Sequence, residues 1–328
     1  MKVAVVGCGA VGSFYGAKLG RAGHELHFLL RSDYEAVRRD GVRIRSPQGD
    51  FSVRPHCSRI PETIGPSELV LIGLKTTANA ELPRLLPPLV DRRTAVVTLQ
   101  NGLGNEEQIA RLLPADQILG GLCFVCLNRL EPGLIHHIDH GLVVLGEFGR
   151  AGGERTAELA SMFREAGVPC ETTENLAKAH WEKLTWNIPF NGLGVAGVAG
   201  YENLAAPAGT PLQPVTPGHT LTTDVLLADA RWTTLLSELL LEVVAAARGL
   251  RFEMCDSLLQ RQLERTRTMG PYKASTLLDF ERGQPLELDS LFFEPLRQAR
   301  DAGVPTPRLK RVCEVLRYLE SRRSAATD

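Results

Sequence analysis

The chain opens with a run of apolar and turn residues in the order strand, helix, strand. Lys2 to Val6 is short, apolar and rich in β-branched residues, the mark of a strand buried on both faces. A helical pattern follows from about Val11 to Ala22, with Gly23 where a helix C-terminus favours glycine, and Glu25 to Leu30 reads as a second strand. A short helix comes next, around Tyr34 to Asp40. Val42 to Arg45 and Phe51 to Pro55 then read as strands on either side of the turn Pro47-Gln48-Gly49.

Leu69 to Leu74 is another all-apolar run and delivers Lys75 at its carboxyl end. A helix carrying Pro83 and Pro87 is expected to cover the next crossover. Ala95 to Leu99 is a further buried strand, delivering Gln100, Asn101 and Gly102. Gln117 to Val125, Gly133 to Ile138 and Leu142 to Leu145 read as extra strands, the last two as a hairpin around Asp139-His140-Gly141. The strand–helix alternation stops near Gly167. From Asn175 the pattern is helical: Leu176 to Asn187, Leu235 to Arg248, Met254 to Thr268, Leu291 to Ala302 and Arg308 to Glu320. Ala205 to Thr223, rich in Pro, Gly and Thr, reads as a long surface loop, and Ser321 to Asp328 as a disordered tail. The expectation is an α/β domain over 1–170 and an all-α domain over 171–328, joined around Val168 to Glu174.

Composition narrows the function classes. A formal net charge of −1, with Lys and Arg spread along the chain, points away from nucleic acid and from membrane surfaces. Met1 stands one residue before the first strand, leaving no space for a targeting peptide, and no apolar run reaches the length of a membrane span. Seven cysteines without framework spacing suit reduced thiols in the cytoplasm. Cys123 and Cys126 form a C-x-x-C without a second pair and read as core residues. His136, His137 and His140 raise the question of a metal, but strand alternation sends His136 and His137 to opposite faces, and no metal site is expected. The apolar helix Leu235 to Ala247 is either core or the contact of a homodimer.

The chemistry begins between the first strand and its helix. Gly7-Cys8-Gly9-Ala10-Val11-Gly12 is a G-x-G-x-x-G in the context that makes the motif informative. Gly7 makes the tight turn, Gly9 lets the backbone touch a pyrophosphate, and Gly12 lets helix and strand pack closely. The helix N-terminus offers amides and the positive end of its dipole to phosphates. The second strand then ends in Arg31, where an NAD site usually places a carboxylate, which favours NADP. Lys75 and Asn101, at the carboxyl ends of later strands, share that rim of the sheet.

Two later segments carry a resemblance to a family. One is His180-Trp181-Glu182-Lys183-Leu184-Thr185-Trp186-Asn187-Ile188-Pro189-Phe190-Asn191. The other is Lys273-Ala274-Ser275-Thr276-Leu277-Leu278-Asp279 with Gly283-Gln284-Pro285-Leu286-Glu287-Leu288-Asp289. With the glycine loop, Lys75 and Gln100-Asn101-Gly102, they make the chain resemble the ketopantoate reductases along essentially its whole length.

Lys183, Asn187 and Asn191 fall at i, i+4 and i+8, one helix stripe, which suits the lining of a polar site. The resemblance implies a Rossmann-type domain followed by a helical domain like the C-terminal one of 6-phosphogluconate dehydrogenase. It also implies NADPH-dependent reduction of 2-dehydropantoate to (R)-pantoate on the way to pantothenate and coenzyme A. By the same resemblance Lys183 is the proton donor and Asn187 and Asn191 hold the oxo acid. Ser275 contacts the substrate carboxylate, Glu287 grips the substrate hydroxyl or orients Lys183, and Asn101 sits beside nicotinamide or substrate. Lys75 lies near the cofactor and reacting centre.

The chain departs from the family pattern at several points. Pro189 should kink or end its helix. Gly192-Leu193-Gly194-Val195 follows Asn191, and bulky Phe292 and Phe293 follow Asp289, where they could reshape the substrate pocket. These departures keep open a relative that reduces another 2-oxo or 3-oxo acid, or an NADP-binding sensor without catalysis.

Overall fold

The computed structural model describes residues 1–213 and 218–325. The chain divides into two compact units, Met1–Ala179 and His180–Asp328.

The first unit is built on one mixed sheet of ten strands. They are β1 (Lys2–Val6), β2 (Glu25–Leu29), β3 (Val42–Arg45), β4 (Phe51–Val53), β5 (His56–Ser58), β6 (Leu69–Ile72), β7 (Ala95–Thr98), β8 (Ile118–Glu131), β9 (Leu134–Glu147) and β10 (Cys170–Thr172). The order across the sheet is β4-β3-β9-β8-β7-β6-β1-β2-β5, with β10 added beside β9. β5, β2, β1, β6, β7 and β8 run parallel, and β9 returns antiparallel to β8. Alternation explains why β1 reads as continuously apolar. Val3 and Val5 join one buried cluster with Phe14, Tyr15 and Leu19 of the helix Ala10–Arg21, while Ala4 and Val6 join another with Leu82, Leu86 and Ile109. Both faces of the strand are therefore core.

From β1 the chain turns to β2 on one side and later to β6 on the other, so β1 flanks the point where the winding reverses. Ligands of open α/β sheets sit outside the strand ends at such a point, and the glycine loop occupies it.

Several expectations are corrected. Asp139-His140-Gly141 does not turn a hairpin. β8 and β9 are each 14 residues long and pair with each other around Pro132-Gly133. The tripeptide is absorbed within β9 as a bulge: Phe124 faces Leu142 and Val125 faces His140, leaving Gly141 extra at φ 136°. The expected helix over Pro83 and Pro87 is three short turns instead, Thr76–Glu81, Leu82–Leu85 and Pro87–Leu89, because each proline interrupts the bonding ladder. β5 was not expected. Residues 168–174, read as the join between domains, contain β10 of the first unit's sheet.

The second unit is helical, and its main helix also corrects a sequence expectation. It spans Leu176–Ala196 and continues through Pro189. Ile188, Pro189 and Phe190 are all buried, and packing around them offsets the roughly 3 kcal/mol that an interior proline costs. The helix Ala230–Gly249 buries Leu235, Leu236, Leu239, Leu240, Val243 and Val244 in the core, and turns Leu241 to solvent. Leu258–Arg267 and Glu294–Asp301 are shorter than expected, the latter preceded by a π turn at Asp289–Phe293. The final helix, Pro307–Ala325, runs into the tail that the sequence reads as disordered, whose last three residues lie outside the described ones. The expected loop at 205–223 has no regular structure over 206–213 and 218–222, and 214–217 lie outside the described residues. No helix of the described chain is long and apolar enough to cross a membrane.

Candidate active site

In the first unit, the glycines of the loop divide by what surrounds them. Gly7 has φ +93°, and a Cβ there would lie 2.2 Å from the Leu74 backbone nitrogen. A Cβ on Gly12 would lie 2.2 Å from the Gly7 carbonyl oxygen, and one on Gly73 2.8 Å from the Gly12 backbone. Gly7, Gly12 and Gly73 thus let three backbone segments touch. Gly9 is different. Nothing lies within 4 Å of its missing Cβ. It is the N-cap of the helix Ala10–Arg21 and no side chain caps that end, so the first-turn amides of Ala10 and Val11 open onto half-exposed surface. An open N-terminus beside a side-chain-free residue fits a pyrophosphate. Cys8 turns away from this opening: its Sγ donates to the carbonyls of Val5 (3.6 Å) and Leu29 (3.5 Å), and burial pushes its thiol pKa up.

The end of β2 separates two candidate groups for a ribose. Arg31 is exposed. Asp33, the first carboxylate after the strand, is buried and accepts from Arg129 Nε (3.0 Å), Arg129 Nη2 (2.5 Å) and Ser32 Oγ (2.9 Å). Its oxygens are committed within the protein.

A buried amide network holds the next two loops. Gln100 Nε2 donates to the Leu74 carbonyl (3.1 Å) and to Asn79 Oδ1 (2.7 Å). Asn79 Nδ2 donates to Asn105 Oδ1 (3.1 Å), and Asn105 Nδ2 to the Asn101 carbonyl (3.1 Å). The segment after β6, with exposed Lys75, is in this way tied to the segment after β7, with half-exposed Asn101. Asn79 and Asn105 were missed from sequence, because amides 26 residues apart carry no local signal.

Of the β9 histidines, His137 is the one held by side-chain hydrogen bonds among the described residues. His137 is buried, with Nε2 donating to the His140 carbonyl (2.9 Å), which leaves Nδ1 to accept from Ser46 Oγ (2.9 Å). Burial lowers its pKa. Cys123 and Cys126 form no disulfide and are buried within β8.

In the second unit, Lys183 is half-buried on its helix, with Asn187 and Asn191 following on the same stripe, both buried. Asn191 Nδ2 donates to the Asn187 carbonyl (3.0 Å), and its Oδ1 accepts from the Thr276 amide (3.0 Å) and Ser275 Oγ (3.4 Å). Asn191 therefore acts as a cap in trans for the helix Ser275–Glu281, whose own N-cap Ala274 has no side chain to do so. Asn191→Ala leaves the buried Thr276 amide without that acceptor. The expected loss is about 1–3 kcal/mol of stability, read as a lower denaturant midpoint at unchanged slope.

Beside this polar stripe stands an aromatic one. Trp186 stacks on Phe190 with centroids 5.0 Å apart, lies 6.2 Å from the Tyr272 ring, and donates its indole N–H to Thr266 Oγ1 (3.0 Å). Glu287 is 5 % exposed, a buried carboxylate just ahead of the π turn. Phe292 is fully buried against Gly192, and Phe293 lies under the Arg317 guanidinium at 4.6 Å. Phe292 is core, a role that the missing side chain of Gly192 makes room for.

Family models match both halves. Residues 3–150 match Ketopantoate reductase PanE/ApbA, and residues 202–320 match Ketopantoate reductase PanE/ApbA C terminal. The chain belongs to the ketopantoate reductase family. It is 38 % identical to a 2-dehydropantoate 2-reductase of Nostoc sp., over 98 % of this chain and 96 % of that one. The crystal structure of 2-dehydropantoate 2-reductase from Geobacter metallireducens superposes with a TM-score of 0.88 at 41 % identity, covering 97 % of this chain and 99 % of that one. The one from Methylococcus capsulatus does so with 0.86 at 32 %, covering 99 % and 98 %. Membership of the ketopantoate reductase family makes the chain a dinucleotide-dependent oxidoreductase with a Rossmann-type domain and a helical domain.

Proposed function

We propose that this protein reduces 2-dehydropantoate to (R)-pantoate with NADPH, in the cytoplasm and on the route to pantothenate and coenzyme A. What carries the reading is the stripe Lys183–Asn187–Asn191 locked onto Ser275, in a chain that resembles ketopantoate reductases from end to end.

Bound across the glycine loop, NADPH would supply the hydride that the ketone carbon receives. Lys183 donates a proton to the oxygen that becomes the hydroxyl, so the ketone gains hydride and proton in one reduction. The ammonium is half-buried on its helix, placed to act as a general acid. Asn187 donates to the same oxygen or to a neighbouring one and fixes the carbonyl's direction. Ser275, held by Asn191, takes the substrate carboxylate, and Glu287 orients Lys183 or accepts from the product hydroxyl. Gly7, Cys8, Gly9, Ala10, Val11 and Gly12 hold the pyrophosphate through backbone amides. Lys75 and Asn101, on the loops that Gln100 braces, hold the nicotinamide end and the reacting oxo acid.

Arg31 selects NADPH over NADH. Exposed Arg31 offers a cation for the 2′-phosphate, while Asp33 is buried and already engaged by Arg129 and Ser32. Arg31→Ala is expected to raise KM for NADPH about tenfold or more and to leave KM for NADH nearly unchanged. Equal effects on the two cofactors would remove Arg31 from the 2′-phosphate. The substrate is tested with a panel of 2-oxo and 3-oxo acids. Ketopantoate should show the highest kcat/KM, and a clear preference for another acid would assign the chain a different reduction.

A further inference from the structure

At the edge of the first unit's sheet, β5 pairs in parallel with β2, and His56 stands opposite His27. Glu25 precedes His27 by two residues on β2, so strand alternation puts both on one face with His56. Glu25 Oε1 and His27 Nε2 are 2.7 Å apart. The two imidazoles stack with centroids 4.7 Å apart and planes 21° from parallel. One ligand atom from each of the three residues lies within 4.8 Å of the others. Glu25 and His56 are exposed and His27 is half-buried, so an ion can reach them from solvent. The reduction proposed above uses none of the three.

We propose that Glu25, His27 and His56 form a binding site for a divalent transition metal, zinc being the best match, which clips the edge strand β5 to β2. Two imidazoles and one carboxylate are a three-ligand zinc set, with water completing the tetrahedron, whereas magnesium and calcium would ask for oxygen ligands throughout. Zinc bonds of about 2.0–2.2 Å at tetrahedral angles place ligand atoms roughly 3.3 Å apart; here Glu25 and His27 lie 2.7 Å apart and all three ligand atoms within 4.8 Å of one another. Side-chain rotation is enough to close the site, because β-pairing already sets the three backbones.

Local charge permits it. The adjacent Lys2 turns its ammonium to the carbonyls of Ile64 (2.5 Å) and Pro66 (3.1 Å). β5 has three residues and one strand neighbour, and an ion shared with β2 would secure it.

The test titrates chelator-washed full-length protein with Co²⁺, read by visible absorption, and then with Zn²⁺, read by displacement and by thermal unfolding. A saturable one-to-one cobalt spectrum, displaced by zinc, with a raised unfolding temperature is expected. His27→Gln and His56→Asn should each weaken the affinity by roughly tenfold or more, with turnover of oxo acid by NADPH unchanged. Cys255→Ser, which removes an exposed thiol elsewhere, should leave binding intact. No cobalt spectrum, binding that survives the double histidine variant, or binding lost in Cys255→Ser would each overturn the proposal.

Discussion

Lys183→Ala should lower kcat for ketopantoate by about 10²- to 10⁴-fold, the range a positioned general acid contributes, while the dissociation constant for NADPH stays where it was. The expectation follows from placement. Lys183 leads the stripe that continues through Asn187 and Asn191, and Asn191 fastens that stripe to Ser275 and Thr276. The glycine loop belongs to the first unit and Lys183 to the second. With Lys183 as the proposed proton donor, removing its ammonium is expected to abolish proton donation and to spare the proposed phosphate site. Stopped-flow turnover together with NADPH fluorescence titration reads the two effects separately. A variant that turns over at the wild-type rate would strip Lys183 of its role, and one that loses NADPH affinity as well would point to a general structural defect.

The second large effect is expected in the glycine loop, where Gly9→Ala and Gly12→Ala should fail in opposite ways. The added Cβ of Gly9→Ala meets nothing within 4 Å, so the fold should tolerate it. That methyl would, however, stand in the space proposed for the pyrophosphate. NADPH affinity should fall about 10- to 100-fold, some 1.4–2.7 kcal/mol, at an unchanged unfolding temperature. Gly12→Ala instead drives a Cβ to 2.2 Å from the Gly7 carbonyl, where backbone must shift. It should cost roughly 1–3 kcal/mol of stability or more before any ligand is added. Calorimetry of both variants with and without NADPH decides the matter. A destabilised Gly9→Ala, or a stable Gly12→Ala that still binds, would break the division of labour among the glycines.

How far the chain could be read in advance depended on whether the signal was local. β1, β6 and β7 are apolar runs bounded by turn residues, β2 alternates polar and apolar positions, and each appears within a residue or two of where the pattern puts it. The glycine motif was legible because its strand and helix are contiguous with it. β5 was not, since His56-Cys57-Ser58 has no apolar alternation and exists only by pairing with β2. Asp139-His140-Gly141 has turn chemistry, but the long pairing of β8 with β9 absorbs it as a bulge. Pro189 breaks a rule of local propensity that burial on all sides overrides.

The candidate site divides the same way. Lys183, Asn187 and Asn191 share a stripe by spacing alone. That Asn191 caps the Ser275 helix, that Gln100 reaches Asn79, and that Asp33 is spent on Arg129 are long-range pairings invisible along the chain.

The most direct test of the whole account is the initial rate of wild-type protein on ketopantoate, followed as loss of reduced cofactor with NADPH and with NADH side by side. Saturable turnover to pantoate with NADPH is expected, at a kcat/KM well above that with NADH. No turnover of ketopantoate with either cofactor, or a clear preference for NADH, would contradict it.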